Sequence, residues 1–320
     1  MKIFSTNTCP VPNDLESVIH HKDEVPAELG GMSEQQVQKI WKSIESLYKT
    51  GNYPLITFCL RRQGKILLNR SIGYAQGNSP AGLQENALIA TPDTPVCLFS
   101  ASKMITAMLI HLLDEKGEIN LLDPVSYYIP EYGVNGKRRA TIFHLLSHRG
   151  GIPYVDGDVT NDSRFMDTIC PAGNIYTSAE QAGRFFEMLL SGGSYQGKQI
   201  LSEKTIFRAT LPTTGVNIDR TLLIPMRYAL GPMLGSNPVG LFGPMTGQAF
   251  GHLGFSNILC WADPERDISV SLLTTGKSVV GTHLPALANL LYQISTQCPR
   301  IPRDQRRSLF GSDSHETDLV

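Results

Sequence analysis

Leu55-Ile56-Thr57-Phe58-Cys59-Leu60, followed through Gln63-Gly64 by Ile66-Leu67-Leu68, decides the fold class. Two short apolar runs rich in β-branched and aromatic residues, joined at a glycine, read as an antiparallel hairpin. Upstream, Ser33-x-x-Gln36 forms a capping box, after which Val37, Ile40, Trp41, Ile44, Leu47 and Tyr48 recur at helical spacing until Gly51-Asn52. The far end repeats these elements in reverse order. Residues 256–261 and 268–274 read as two strands around the turn Asp263-Pro264-Glu265-Arg266-Asp267, and residues 284–294 supply a closing helix with Leu287, Leu290, Leu291 and Ile294 on its apolar side. Chain ends that each give a helix and a hairpin predict an α+β fold, one antiparallel sheet flanked by helices from both ends.

Between the two ends the pattern changes. Residues 100–113 are apolar nearly all round and stop at Asp114-Glu115-Lys116-Gly117, which predicts a helix buried between other elements. Two further helices are expected at 180–190, behind a Ser178-x-x-Gln181 capping box, and at 203–209, behind Ser202.

The chain of 320 residues, 41% hydrophobic and 18% charged, can bury a large core. With 28 Lys plus Arg against 29 Asp plus Glu, its net charge of −1 gives no general attraction to nucleic acid or anionic lipid. A small bound substrate is the expected partner. No apolar run approaches the roughly 20 residues of a membrane span, and the first residues lack the pattern of a secretory signal, so a cytoplasmic location is expected. Cys9, Cys59, Cys97, Cys170, Cys260 and Cys298 are scattered, without Cys-x-x-Cys or a His partner at ligand spacing. They read as free thiols, with neither a disulfide framework nor a metal site expected.

Ser100 and Lys103 stand three apart where the buried helix begins, on one face, so that the lysine reaches the serine hydroxyl. A serine needs such a partner to lose its proton, and a lysine serves if burial lowers its pKa. Spacing alone is weak: Ser-x-x-Lys recurs at Ser46 and Lys49, late in an amphipathic helix. On spacing and context, Ser100 is either a nucleophile or only a helix cap beside a snorkelling lysine.

The surrounding boxes carry a resemblance. Phe99-Ser100-Ala101-Ser102-Lys103, then Leu122-Asp123-Pro124-Val125, then residues 142–153 (Ile-Phe-His-Leu-Leu-Ser-His-Arg-Gly-Gly-Ile-Pro), then residues 172–180, and finally Gly251-His252-Leu253-Gly254-Phe255 ahead of Asp263-Pro264-Glu265, come in the order of the serine β-lactamase-related family. That family holds class C β-lactamases, their esterase relatives and D-alanyl-D-alanine peptidases. The resemblance spans about residues 30–297 and implies a β-lactamase/transpeptidase-like fold. Its sheet portion would be 31–75 and 215–297 and its reduced helical portion 95–210, preceded by an N-terminal extension (1–30) and followed by a frayed tail (298–320).

Position by position, the resemblance implies Ser100 as the acylated nucleophile, Lys103 as its proton partner, the backbone N–H groups of Ser100 and Phe255 as the oxyanion hole, and His252 and Gly254 as substrate-lining residues, with no cofactor. His252 stands where lactamases carry the lysine of Lys-Thr-Gly, so a fixed positive charge becomes a mostly neutral imidazole. This favours a serine hydrolase of uncharged carboxylic esters over a β-lactamase or D-alanyl-D-alanine peptidase. His111, His144, His148 and Asp123 are read as structural.

One part of the family pattern is missing. The family places a tyrosine, in a Tyr-x-Asn or related box, between the segments ending at Pro153 and beginning near Pro171; none of the 11 tyrosines is followed by x-Asn. An internal deletion, a compact active variant with another proton relay (Tyr154 being the tyrosine at hand), or a non-catalytic remnant that binds small molecules would each give this pattern. Loss of helices from that region would also leave the 100–113 helix uncovered, so self-association through that surface is expected.

Overall fold

The computed structural model describes residues 8–150, 165, 167–220 and 222–307. In chain order these hold β1 (Ile19–His21), α1 (Glu34–Tyr48), β2 (Leu55–Arg62), β3 (Lys65–Ser79), β4 (Gly82–Ile89), β5 (Val96–Cys97), α2 (Ser102–Glu115), α3 (Val125–Tyr128) and α4 (Ile142–Leu146). They continue with β6 (Tyr176–Thr177), α5 (Ala179–Leu190), β7 (Ser194–Tyr195), β8 (Lys198–Gln199), α6 (Glu203–Thr210), β9 (Asn217–Ile218), β10 (Pro225–Tyr228), β11 (Met233–Leu234), β12 (Val239–Gly240), β13 (Gly243–Pro244), β14 (Phe250–Leu253), β15 (Leu259–Asp263), β16 (Ile268–Thr274) and α7 (Leu284–Gln297).

A ten-stranded sheet runs β1-β3-β2-β16-β15-β14-β11-β10-β9, with β4 paired to β3, and every pairing is antiparallel. The chain ends meet where β2 pairs with β16, from Arg62 opposite Ile268 to Ile56 opposite Thr274. Both faces of β2 are covered, so its run is apolar throughout instead of alternating. Ile56, Phe58 and Leu60 join Ile40, Trp41 and Ile44 of α1 and Leu290 and Ile294 of α7 in one core. Leu55 and Cys59 face a second core made with Ala182, Phe186 and Leu189 of α5 and Met104 and Met108 of α2.

The expected caps are present: Ser33 with Gln36 and Ser178 with Gln181 close capping boxes, and Ser202 accepts from the Thr205 N–H, each contributing about 1 kcal/mol. The turn at Gln63 and Gly64 takes positive φ at both residues, 51° and 75°, the geometry that suits a two-residue hairpin. Four differences from the sequence reading stand out. The β3–β4 ribbon extends to Ile89 through polar and glycine-rich sequence with no apolar stripe. Strand β15 begins at Leu259 instead of 256, because Ser256 and Asn257 take left-handed φ of 61° and 64°. The N-terminal boundary shifts, since β1 pairs with β3 and Val18 and Ala27 lie in the first core. The fold also runs past 297: Cys298 and Ile301 are buried, and Arg307 pairs with Asp267 at 2.9 Å and with Glu187.

Helix α2 buries Met104, Ala107, Met108 and His111 but leaves Leu109 55% exposed, and Leu122, Tyr127 and Ile129 beyond it are exposed as well. Among the described residues no helix is long and apolar enough to cross a membrane.

Candidate active site

Ser100 is presented by a tight local fold. The Leu98 N–H donates to Ile175 O at 2.8 Å, Phe99 takes a φ of 45°, and residues 99–101 form one turn of 3-10 helix that runs into α2. Buried Ser102 ties this turn to the returning strand by accepting from the Ile175 N–H at 3.2 Å. Ser100 is thereby half-buried. Lys103, one turn on, lies 2.9 Å from it through Nζ and also donates to Ala172 O at 3.1 Å. Burial lowers the Lys103 pKa from its ordinary value, because a low-dielectric setting penalises the ammonium form. The neutral amine can then accept the serine proton. The second Ser-x-x-Lys pair has no such setting: Ser46 and Lys49 are exposed, and the Ser46 hydroxyl donates to Lys42 O.

The opposite wall is the end of β14. Gly254 packs so closely that a β-carbon there would lie 2.4 Å from Leu98 O, and the Phe99 and Phe255 rings meet edge to face at 5.5 Å. The glycine at 254 thus serves close approach between the end of β14 and the serine segment, where the sequence reading assigns it to approach by substrate. Ser100 and Phe255 each stand in the first turn of a 3-10 helix, where N–H groups have no carbonyl of their own helix to meet. Behind Phe255 the reversal at Ser256 and Asn257 is fixed by buried bonds. Asn257 Oδ1 accepts from Tyr53 Oη at 2.7 Å and faces His283 Nε2 at 2.9 Å, while Thr274 Oγ1 donates to Ser256 O at 2.6 Å.

His252 comes to the site but sits behind its surface, 1% exposed. Its Nδ1 lies 2.7 Å from Leu253 O, which makes Nδ1 the protonated nitrogen, and its Nε2 has no partner among the described residues. Burial, then the neighbouring His148, push its pKa down to about 3. The ring is therefore neutral at any pH near 7. This gives a sign to the pH dependence of stability. Unfolded histidine titrates near 6.5, so between about pH 6.5 and 3 the unfolded chain binds the extra proton and stability falls as pH falls. From pH 6.5 to 5 the loss attributable to His252 is about 2 kcal/mol; His111, His148 and His283 shift in the same direction. Urea midpoints at pH 7.5 and 5.0 check this, and His252→Gln should flatten the difference.

Sequence reasoning missed a cluster beside these residues. The His148 ring lies 4.5 Å from the Tyr228 ring and 5.8 Å from the His252 ring, and the Tyr228 hydroxyl donates to Asp219 at 2.7 Å. No spacing in the sequence links residues 148, 219, 228 and 252. The other histidines read as structural keep that place: His111 Nε2 bonds Leu230 O, and His144 caps its helix with Thr141. Tyr154 lies outside the described residues. Among the described residues no group of three or more His, Cys, Asp or Glu could hold a metal ion.

The family model described as Beta-lactamase matches in two stretches, residues 40–167 and 155–292. They meet in the segment where the tyrosine box is missing. The Esterase/beta-lactamase LipL of Mycobacterium tuberculosis (strain ATCC 25618 / H37Rv) is 28% identical over 131 residues, 41% of this chain and 28% of LipL. The chain thus aligns with little more than a quarter of that relative's length. Among solved structures, a penicillin-binding protein homolog from Caulobacter crescentus superposes with a TM-score of 0.66 at 16% identity, covering 83% of this chain and 99% of that one. A family VIII carboxylesterase gives 0.65 at 16% identity, covering 82% and 98%. These likenesses show the β-lactamase/transpeptidase-like fold. Because the family match runs through both the Ser100–Lys103 segment and the His252–Phe255 segment, the chain belongs to the beta-lactamase family.

Proposed function

We propose that this protein is a serine hydrolase that cleaves uncharged carboxylic esters through an acyl-enzyme on Ser100. The observation that carries the reading is the 2.9 Å contact between the hydroxyl of half-buried Ser100 and a lysine whose pKa burial lowers. Neutral Lys103 takes the hydroxyl proton as Oγ attacks the ester carbonyl, and the Ser100 and Phe255 N–H groups hold the oxyanion. The alcohol leaves with a proton returned by Lys103, and water then cleaves the acyl-serine.

The preference for uncharged esters rests on His252. A β-lactam or peptide substrate brings a carboxylate, and the position where lactamases carry a cation holds a neutral, buried ring. A short-chain aryl ester is expected to turn over faster than a chromogenic cephalosporin, compared by kcat/KM on the same preparation. Faster cephalosporin turnover would overturn the preference. The absence of a Tyr-x-Asn box favours a second reading, a stalled binding protein whose Ser100 is acylated and not released.

A further inference from the structure

Resting on the serine-hydrolase reading, we infer that His148 carries the proton transfers that release the acyl group from Ser100, taking the part a tyrosine plays in the family pattern.

The fold brings the segment that carries His148 against helix α2, which carries Lys103, by a short chain of contacts. Leu146 O accepts from the Gly231 N–H at 2.8 Å, and Gly231 lies so close to α2 that a β-carbon on it would be 2.3 Å from the Ala107 β-carbon. Ala107 is one turn beyond Lys103 on the same face of α2. His148 itself takes a φ of 58°, a left-handed conformation that a residue with a β-carbon adopts only at a cost. In that conformation the imidazole lies 4.5 Å from the Tyr228 ring and 5.8 Å from the His252 ring.

The charges around the ring suit the task. Among the described residues, Lys103, His252, Tyr228 and Asp219 are the titratable groups that act on it. Although His148 keeps a solvent-exposed surface, desolvation by its packed surroundings and then the Lys103 charge lower its pKa, while the Gly231 carbonyl and Asp219 oppose them. The ring is neutral near pH 7 and has a lone pair to offer.

The neighbouring groups are less suited. His252 is sealed from solvent, whereas His148 is exposed. The Tyr228 hydroxyl is committed to Asp219, and burial followed by that bond pushes its pKa up. In the release step the unprotonated nitrogen of His148 takes a proton from water as the water oxygen bonds to the acyl carbon. The tetrahedral intermediate then breaks its bond to Ser100 Oγ, which recovers the proton from His148, leaving a carboxylic acid and free serine.

His148→Asn and His148→Gly both tolerate the left-handed backbone, and the glycine opens room for added imidazole. Stopped-flow with a short-chain p-nitrophenyl ester separates the acylation burst from steady release, and intact mass follows acyl-Ser100. Both variants are expected to keep the burst, accumulate acyl-Ser100 and release it about 10²-fold more slowly or worse. Free imidazole should restore release in His148→Gly, which a purely structural role would not allow. Release at the original rate in both variants, or burst and release falling together without imidazole rescue, overturns the assignment. If the unsubstituted chain shows no Ser100-dependent acylation, the hydrolase reading fails and this inference with it; normal acylation with unaltered release in the variants sinks the His148 role alone.

Discussion

Ser100→Ala is expected to lower ester turnover by about 10³-fold or more, since removal of a nucleophile that works with a paired base eliminates the covalent route. The substitution deletes one oxygen, on a half-buried residue, whose side-chain partner is Lys103. Lys103 keeps its bond to Ala172 O, and the segment stays tied by Leu98 to Ile175 and by Ser102 to Ile175. The melting temperature should therefore change by no more than a few degrees. Parallel kinetics and thermal melts separate loss of chemistry from loss of fold, and a variant that keeps more than a tenth of the rate contradicts the role given to Ser100.

Lys103→Met should reduce acylation by about 10²- to 10⁴-fold, the range for losing a positioned proton acceptor. Methionine nearly fills the space but offers Ser100 Oγ no base. The pH profile gives the sharper signature. Acylation needs the neutral amine, so in the unsubstituted chain the rate should fall as pH drops through a lysine pKa that burial has placed below its ordinary value. That limb should vanish in the variant. Removing the ammonium should also let His148 and His252 titrate at higher pH, because its charge is among the causes that hold both down. Rates from pH 5 to 10, with histidine resonances followed by NMR, test both parts.

The frame of the fold was legible because its signals are local. Ser33 with Gln36 and Ser178 with Gln181 mark helix starts within four residues, and the Gln63-Gly64 turn sets the pairing of β2 and β3. The Ser100–Lys103 pair was legible for the same reason, as one helical turn fixes its geometry. What escaped depends on distant partners. Strand β4 has no apolar stripe and is held by pairing with β3. Residues 298–307 contain Arg307, which finds Glu187 and Asp267 across the fold. His148 reads as part of a structural segment, and only its ring contacts with Tyr228 and His252, far along the chain, set it beside the site. His252 reads as a substrate-lining residue, yet its burial, with Nδ1 against Leu253 O, follows from packing that no spacing records.

On this reading Ser100 is an activated nucleophile, a role that covalent labelling reports. Its most direct test is intact-mass spectrometry of the chain and of Ser100→Ala after exposure to a fluorophosphonate probe, with the labelled peptide mapped. One adduct per chain is expected, carried by the peptide containing Ser100 and absent from the variant. An unlabelled chain, or an adduct that persists in Ser100→Ala, would contradict it.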